Sequence, residues 1–165
     1  MLRKFVLVAL FAMFLVPAAA QAQFDEGDWE MFVAGSGASD SGFDNTSLSV
    51  SLSLGYFFND NLEAGVRQGI VFSDTDAGGS DFAATTAGFV DFHFDLDRWQ
   101  PFVGAFIGYQ YGDGVDDDGN YGPEGGVKYF VNSTTFISAL VQYVLPFDSD
   151  NDEFWQYSLA VGWKW

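Results

Sequence analysis

From Leu48 to Phe58 the chain reads Leu-Ser-Val-Ser-Leu-Ser-Leu-Gly-Tyr-Phe-Phe. The even positions Leu48, Val50, Leu52, Leu54, Tyr56 and Phe58 are apolar, while Ser49, Ser51, Ser53 and Gly55 between them are small. Side chains alternate between the two faces of a strand, so this is a strand with one oily face and one small, wet face. A soluble sheet can contain one such strand. Here the pattern recurs, and it predicts strands over 28–38, 46–58, 62–73, 82–94, 100–111, 123–131, 135–145 and 155–165.

The charges constrain the reading further. No Asp, Glu, Lys or Arg falls on the apolar face of any of these segments. Glu30, Glu63, Arg67, Asp91, Glu124, Lys128 and Lys164 all fall on the other face, and Gln68 is the one clear polar residue among the apolar ones. A bilayer imposes this rule, because a lipid-facing charge near the midplane costs about 2–4 kcal/mol. A soluble barrel with the apolar face inside would show water a surface of Ser, Gly and Ala with hardly any Lys, which is poor for solubility. Aromatic residues also gather at the two ends of the segments. Tyr56, Phe58, Phe92, Phe94, Trp99, Tyr129, Trp163 and Trp165 lie at one end, and Phe72, Phe82, Tyr109, Tyr111, Tyr143 and Trp155 at the other. Two girdles around an aliphatic band mark a bilayer-spanning surface. The expected fold is all-β: an eight-stranded antiparallel transmembrane β-barrel in an up-and-down meander.

Residues 1–22 are expected to be a signal peptide, with the barrel domain over 23–165. Arg3 and Lys4 precede the apolar run Phe5–Val16, Pro17 breaks it, and Ala20-Gln21-Ala22 fits a cleavage site. Beyond residue 22 only Arg67, Arg98, Lys128 and Lys164 face 23 acidic residues, which argues against a nucleic-acid partner. There is no cysteine, so disulfides and thiolate metal sites are excluded. Connections are expected to alternate: short at 59–61, 95–99 and 132–134, long at 39–45, 74–81, 112–122 and 146–154. Bacterial barrels place short turns on the periplasmic side, so both termini are expected there.

Three stretches carry a resemblance: Gly55-Tyr56-Phe57-Phe58-Asn59-Asp60-Asn61-Leu62-Glu63, Pro101-Phe102-Val103-Gly104-Ala105, and the closing alternation to a terminal aromatic. On these the chain resembles the small bacterial outer-membrane β-barrel proteins of the OmpX, OmpW and OmpA-transmembrane-domain type. The resemblance implies the bacterial outer membrane as location, with outer-membrane lipid and lipopolysaccharide as surroundings. It implies recognition of the last strand by the barrel assembly machinery, with Trp165 where Phe is usual.

An eight-stranded barrel is filled by its own side chains. The inward set, including Phe32, Phe57, Phe89, Phe102, Phe106 and Phe130, predicts a plugged lumen. Glu30, Glu63, Arg67, Asp91, His93, Glu124, Lys128, Gln142 and Lys164 are expected to form a structural network inside it. Hairpin pairing predicts Arg67 within a diagonal step of Asp91, and Glu63 near His93. It places Gln110 opposite Glu124 and Phe106 opposite Lys128, Glu124 toward Gln142, and Lys164 toward Glu30. His93 is the only histidine and no catalytic set is apparent, so the protein reads as non-enzymatic and without a cofactor. Asp116, Asp118, Asp148, Asp150 and Asp152 have spacings used by calcium loops, though no loop completes that pattern. They read chiefly as part of a solvated acidic rim, with weak divalent-cation binding as the alternative. The function expected is a monomeric barrel for envelope integrity or surface interaction through acidic loops; the alternative is a narrow, porin-like channel or carrier for small or apolar solutes.

Overall fold

The computed structural model describes residues 24–39, 45–75, 79–112, 117–148 and 153–165. The predicted signal peptide lies outside them. Eight strands follow in order: β1 (Trp29–Ser39), β2 (Asn45–Asn59), β3 (Leu62–Thr75), β4 (Gly79–His93), β5 (Trp99–Gly112), β6 (Asp118–Phe130), β7 (Thr135–Pro146) and β8 (Phe154–Lys164). Each pairs antiparallel with its neighbour, and β8 closes onto β1 with Glu30 opposite Lys164 and Ala34 opposite Ala160. The all-β, eight-stranded, up-and-down barrel is therefore what this chain forms.

One end is built from short turns that share a device. The Asn59 side-chain oxygen accepts the backbone N–H groups of Asn61 and Leu62, both at 2.9 Å. That of Asn132 accepts those of Thr134 and Thr135 at 2.9 and 2.8 Å. Asp95 likewise takes the Asp97 N–H at 3.1 Å, and Asp97 sits at φ 60°, a conformation that Asp tolerates better than most residues. In each case a side chain mimics a turn carbonyl.

The opposite end differs from expectation. Strands run on through polar residues, so the connections narrow to 40–44, 76–78, 113–117 and 147–153. The expected contrast between short and long connections is largely lost. Main-chain pairing does not depend on whether the side chains are apolar, so Ser and Asp can extend a ladder above an apolar band. The largest change is in β6, which starts at Asp118 instead of Pro123. Its register against β5 is displaced accordingly: Gln100 faces Lys128, Gly104 faces Glu124 and Gln110 faces Asp118. The predicted pairs Gln110–Glu124 and Phe106–Lys128 are incorrect.

The outward face carries Leu52, Val66, Val90, Val103, Ile107 and Leu159, all exposed, between exposed aromatic residues at both ends. The inward face is dense. Its large rings repeatedly lie over a glycine on the neighbouring strand: Phe89 is opposite Gly65, Phe102 opposite Gly126 and Phe136 opposite Gly162. A β-carbon at Gly126 would run into the Phe102 ring and the Ala139 carbonyl. Gly126→Val should therefore overpack the lumen and cost about 1–3 kcal/mol. The urea midpoint of the refolded barrel measures it, and an unchanged midpoint would mean the ring is free to move aside.

Candidate functional site

The register carries the charged residues inward at two levels. Nearer the short turns, Glu63 faces Asp91 across β3 and β4, and His93 follows two residues on, on the same face. The His93 Nε2 lies 2.8 Å from Glu63 Oε2. Lys128 reaches in from β6 and donates to Glu30 Oε2 at 2.6 Å and to Glu63 Oε2 at 3.0 Å. All five residues are buried, Lys128 at 1% exposure and Glu30, Glu63 and His93 at 0%.

This cluster is walled by aromatic rings. The Lys128 ammonium lies 5.1 to 5.8 Å from the ring centres of Phe24, Phe32, Phe57, Phe102 and Phe136. Ring faces attract a cation, more strongly where water is excluded. His93 stacks on Phe102 with ring centres 5.2 Å apart. Not every polar atom is matched. Glu30 Oε1, Glu63 Oε1, Asp91 Oδ1 and His93 Nδ1 are buried without a hydrogen-bond partner.

The second level contains Arg67, Glu124 and Gln142. Arg67 donates to Glu124 from Nη1 at 2.9 Å and from Nη2 at 3.4 Å, and Gln142 Nε2 donates to Glu124 Oε2 at 2.7 Å. Arg67 thus crosses the lumen from β3 to β6 instead of turning toward Asp91 on the adjacent strand. The side chain is long enough to span the bore, and Phe89 supports its guanidinium from 4.9 Å. Lys164 faces Glu30 in the ladder, but its ammonium bonds Asp28 at 2.7 Å, while Glu30 Oε2 accepts from Lys128. Above Arg67 lies a cavity of about 140 Å³, lined among others by Ser49, Ser51, Thr85, Gln142 and Gln156.

Phe24 was not anticipated. It precedes β1, yet it is 0% exposed and stacks on Phe57 with ring centres 4.0 Å apart. Its ring also meets Phe130 and Phe136 edge-on. The segment is held by Gly27 N–H to the Phe57 carbonyl and by the Phe57 N–H to the Asp28 carbonyl, each 2.9 Å, with Gly27 at φ 95°. One available signal was an aromatic residue followed by the polar run Asp25-Glu26-Gly27-Asp28, where a solvated leader would carry none.

Of the acidic loop candidates, only Asp118 and Asp148 are among the described residues. Asp118 opens β6 and its carboxylate accepts the Asp148 N–H at 3.3 Å, while Gly119 and Asn120 continue the ladder. Asp116, Asp150 and Asp152 lie outside the described residues.

No protein family and no curated protein matches this sequence. Solved structures do match its shape. Outer membrane protein OprG from Pseudomonas aeruginosa aligns with 88% of this chain and 99% of its own, at 14% identity and a TM-score of 0.59. The N-terminal β-barrel domain of Pseudomonas aeruginosa OprF aligns over 86% and 100%, at 17% identity and TM-score 0.54. The Yersinia pestis outer membrane protein Ail in a phospholipid nanodisc aligns over 85% and 99%, at 13% identity and TM-score 0.59. The fold is that of the small outer-membrane β-barrels. In this barrel the charged groups of the Lys128 and Arg67 clusters lie inside among aromatic rings, and the exposed outward belt is mainly apolar.

Proposed function

We propose that this protein is a non-enzymatic barrel of the bacterial outer membrane, with both termini periplasmic, that acts in envelope integrity or surface interaction instead of conducting solute. The filling of the bore near the short turns carries this reading. Phe24, Phe57, Phe130 and Phe136, each 0% exposed, close it beside the buried Lys128 cluster. Above them the Arg67–Glu124 pair bridges the lumen wall to wall. A solute would have to displace both layers. The location is supported by the fold and by the exposed apolar belt between two aromatic girdles.

The opposite rim carries the surface role in this reading. Asp117, Asp148 and Glu153 are exposed there, and the connecting sequence adds Asp40, Asp44, Asp76, Asp113, Asp116, Asp150 and Asp152 without a lysine or arginine. Such a rim suits divalent cations that bridge to lipopolysaccharide phosphates. The C-terminal strand ending in Trp165 would serve the assembly machinery. In planar bilayers the refolded protein should be electrically silent. Reproducible single-channel openings from the native barrel would overturn this reading in favour of the narrow channel or carrier.

A further inference from the structure

The cluster beside Lys128 contains more carboxyl groups than cations. Glu30 and Glu63 share one ammonium, Asp91 lies opposite Glu63 in the ladder, and Glu124 is already taken by Arg67. If all three carboxylates were ionised beside a neutral His93, the buried cluster would carry two uncompensated negative charges. An unpaired buried carboxylate is costly, and such charges persist when they are paired or coordinate a metal. The cluster also holds unmatched atoms, turned toward opposite neighbours, Glu63 Oε1 toward Gly55 on β2 and Asp91 Oδ1 toward Gly104 on β5. Asp91 Oδ1 and Glu63 Oε1 have no partner, and both side chains are at least nine-tenths buried.

We propose that Glu63, Asp91 and His93 form a binding site for one divalent transition-metal ion of the zinc type inside the barrel. One ligand atom from each residue lies within 4.8 Å of the other two. One imidazole nitrogen and two carboxylate oxygens are a common protein set for such an ion, with a further position left open. Ligand distances near 2.0–2.2 Å require these three side chains to close in by modest rotations. The nitrogen argues against calcium and magnesium, which take oxygen ligands. The ion's two charges would let all three carboxylates ionise beside Lys128. Lys128 then keeps its bonds to Glu30 and Glu63 and orients the Glu63 carboxylate, the part that outer partners play around metal ligands. Phe24 covers the site from the short-turn end, so the ion enters during folding.

Cobalt(II) serves as the probe, because its visible absorption intensifies in a four- or five-coordinate protein site. The barrel is refolded in detergent with cobalt chloride and freed of excess ion, and folding is checked by the heat-dependent gel shift. The native protein should retain one cobalt per chain with intensified absorption, and zinc should displace it. Asp91→Asn and His93→Gln should fold and lose that absorption. Zinc present during refolding should raise the unfolding temperature of the native barrel but not of Asp91→Asn. A native barrel that folds and retains no cobalt would overturn the site, with the extra charges then neutralised by protons. Cobalt retained equally by folded Asp91→Asn and His93→Gln would also overturn it, because the ion would then sit on the acidic rim. Should both variants fail to fold, the native protein decides: a zinc-dependent thermal shift with the intensified cobalt spectrum supports the site, and the absence of either one removes it.

Discussion

Replacing Lys128 with methionine should cost the refolded barrel about 3–5 kcal/mol, the usual penalty for breaking a buried ion pair from one side. The large value follows from what remains. Glu30 and Glu63 are both 0% exposed and both bond the lysine ammonium. Methionine fills the space of the lysine stem, so packing is largely kept and the charge is the main loss. Adding Glu30→Gln to Lys128→Met should restore part of the stability, because it removes one of the carboxylates left unpaired. Arg98→Ala, in a turn outside the lumen, should leave the urea midpoint unchanged. If Lys128→Met and Arg98→Ala unfold at the same urea concentration, the cluster is hydrated and the ion pairs count for little.

The barrel was legible because a membrane wall restricts both faces of every strand at once. In Leu48–Phe58 a one-residue slip would turn five or six apolar side chains into the lumen, so face and register are specified together. The same logic brought Glu63 and His93 together, since the β3–β4 hairpin has a small connection that fixes its pairing. It failed at β6. There Gly119 and Gly122 look like loop composition and Pro123 like a strand's first residue, yet Gly119 accommodates the Phe147 ring and Pro123 pairs with Ala105 near the strand's middle. Glycine in a barrel wall can reflect a bulky neighbour instead of a turn. Missing that shortened the strand and displaced the partners expected for Glu124 and Lys128 on β5, while the pairing of Glu124 with Gln142 on β7 came out as expected. The Arg67–Glu124 contact was hidden for another reason. It joins β3 to β6 through space, and adjacent-strand register carries no information about reach across the bore. Phe24 belongs to no strand, so no alternation could reveal it.

The outward face offers the second large effect. Val66 lies midway along β3, is 57% exposed, and points away from the lumen between Ala64 and the girdle residue Phe72. On a soluble protein, arginine at so exposed a position should change stability by no more than about 0.5 kcal/mol. In a bilayer the same residue faces hydrocarbon near the midplane, where arginine costs about 2–4 kcal/mol. Val66→Arg should therefore shift the folding equilibrium in phospholipid vesicles by that larger amount. Phe58→Arg, beside the short turn after β2, should cost less, because the side chain can reach the interface and the penalty falls toward zero there. This depth dependence separates membrane burial from simple loss of packing, which would follow the size of the side chain removed and penalise Phe58 more than Val66. Equal small effects at both positions would show that the exposed belt meets water and that the barrel does not span a bilayer.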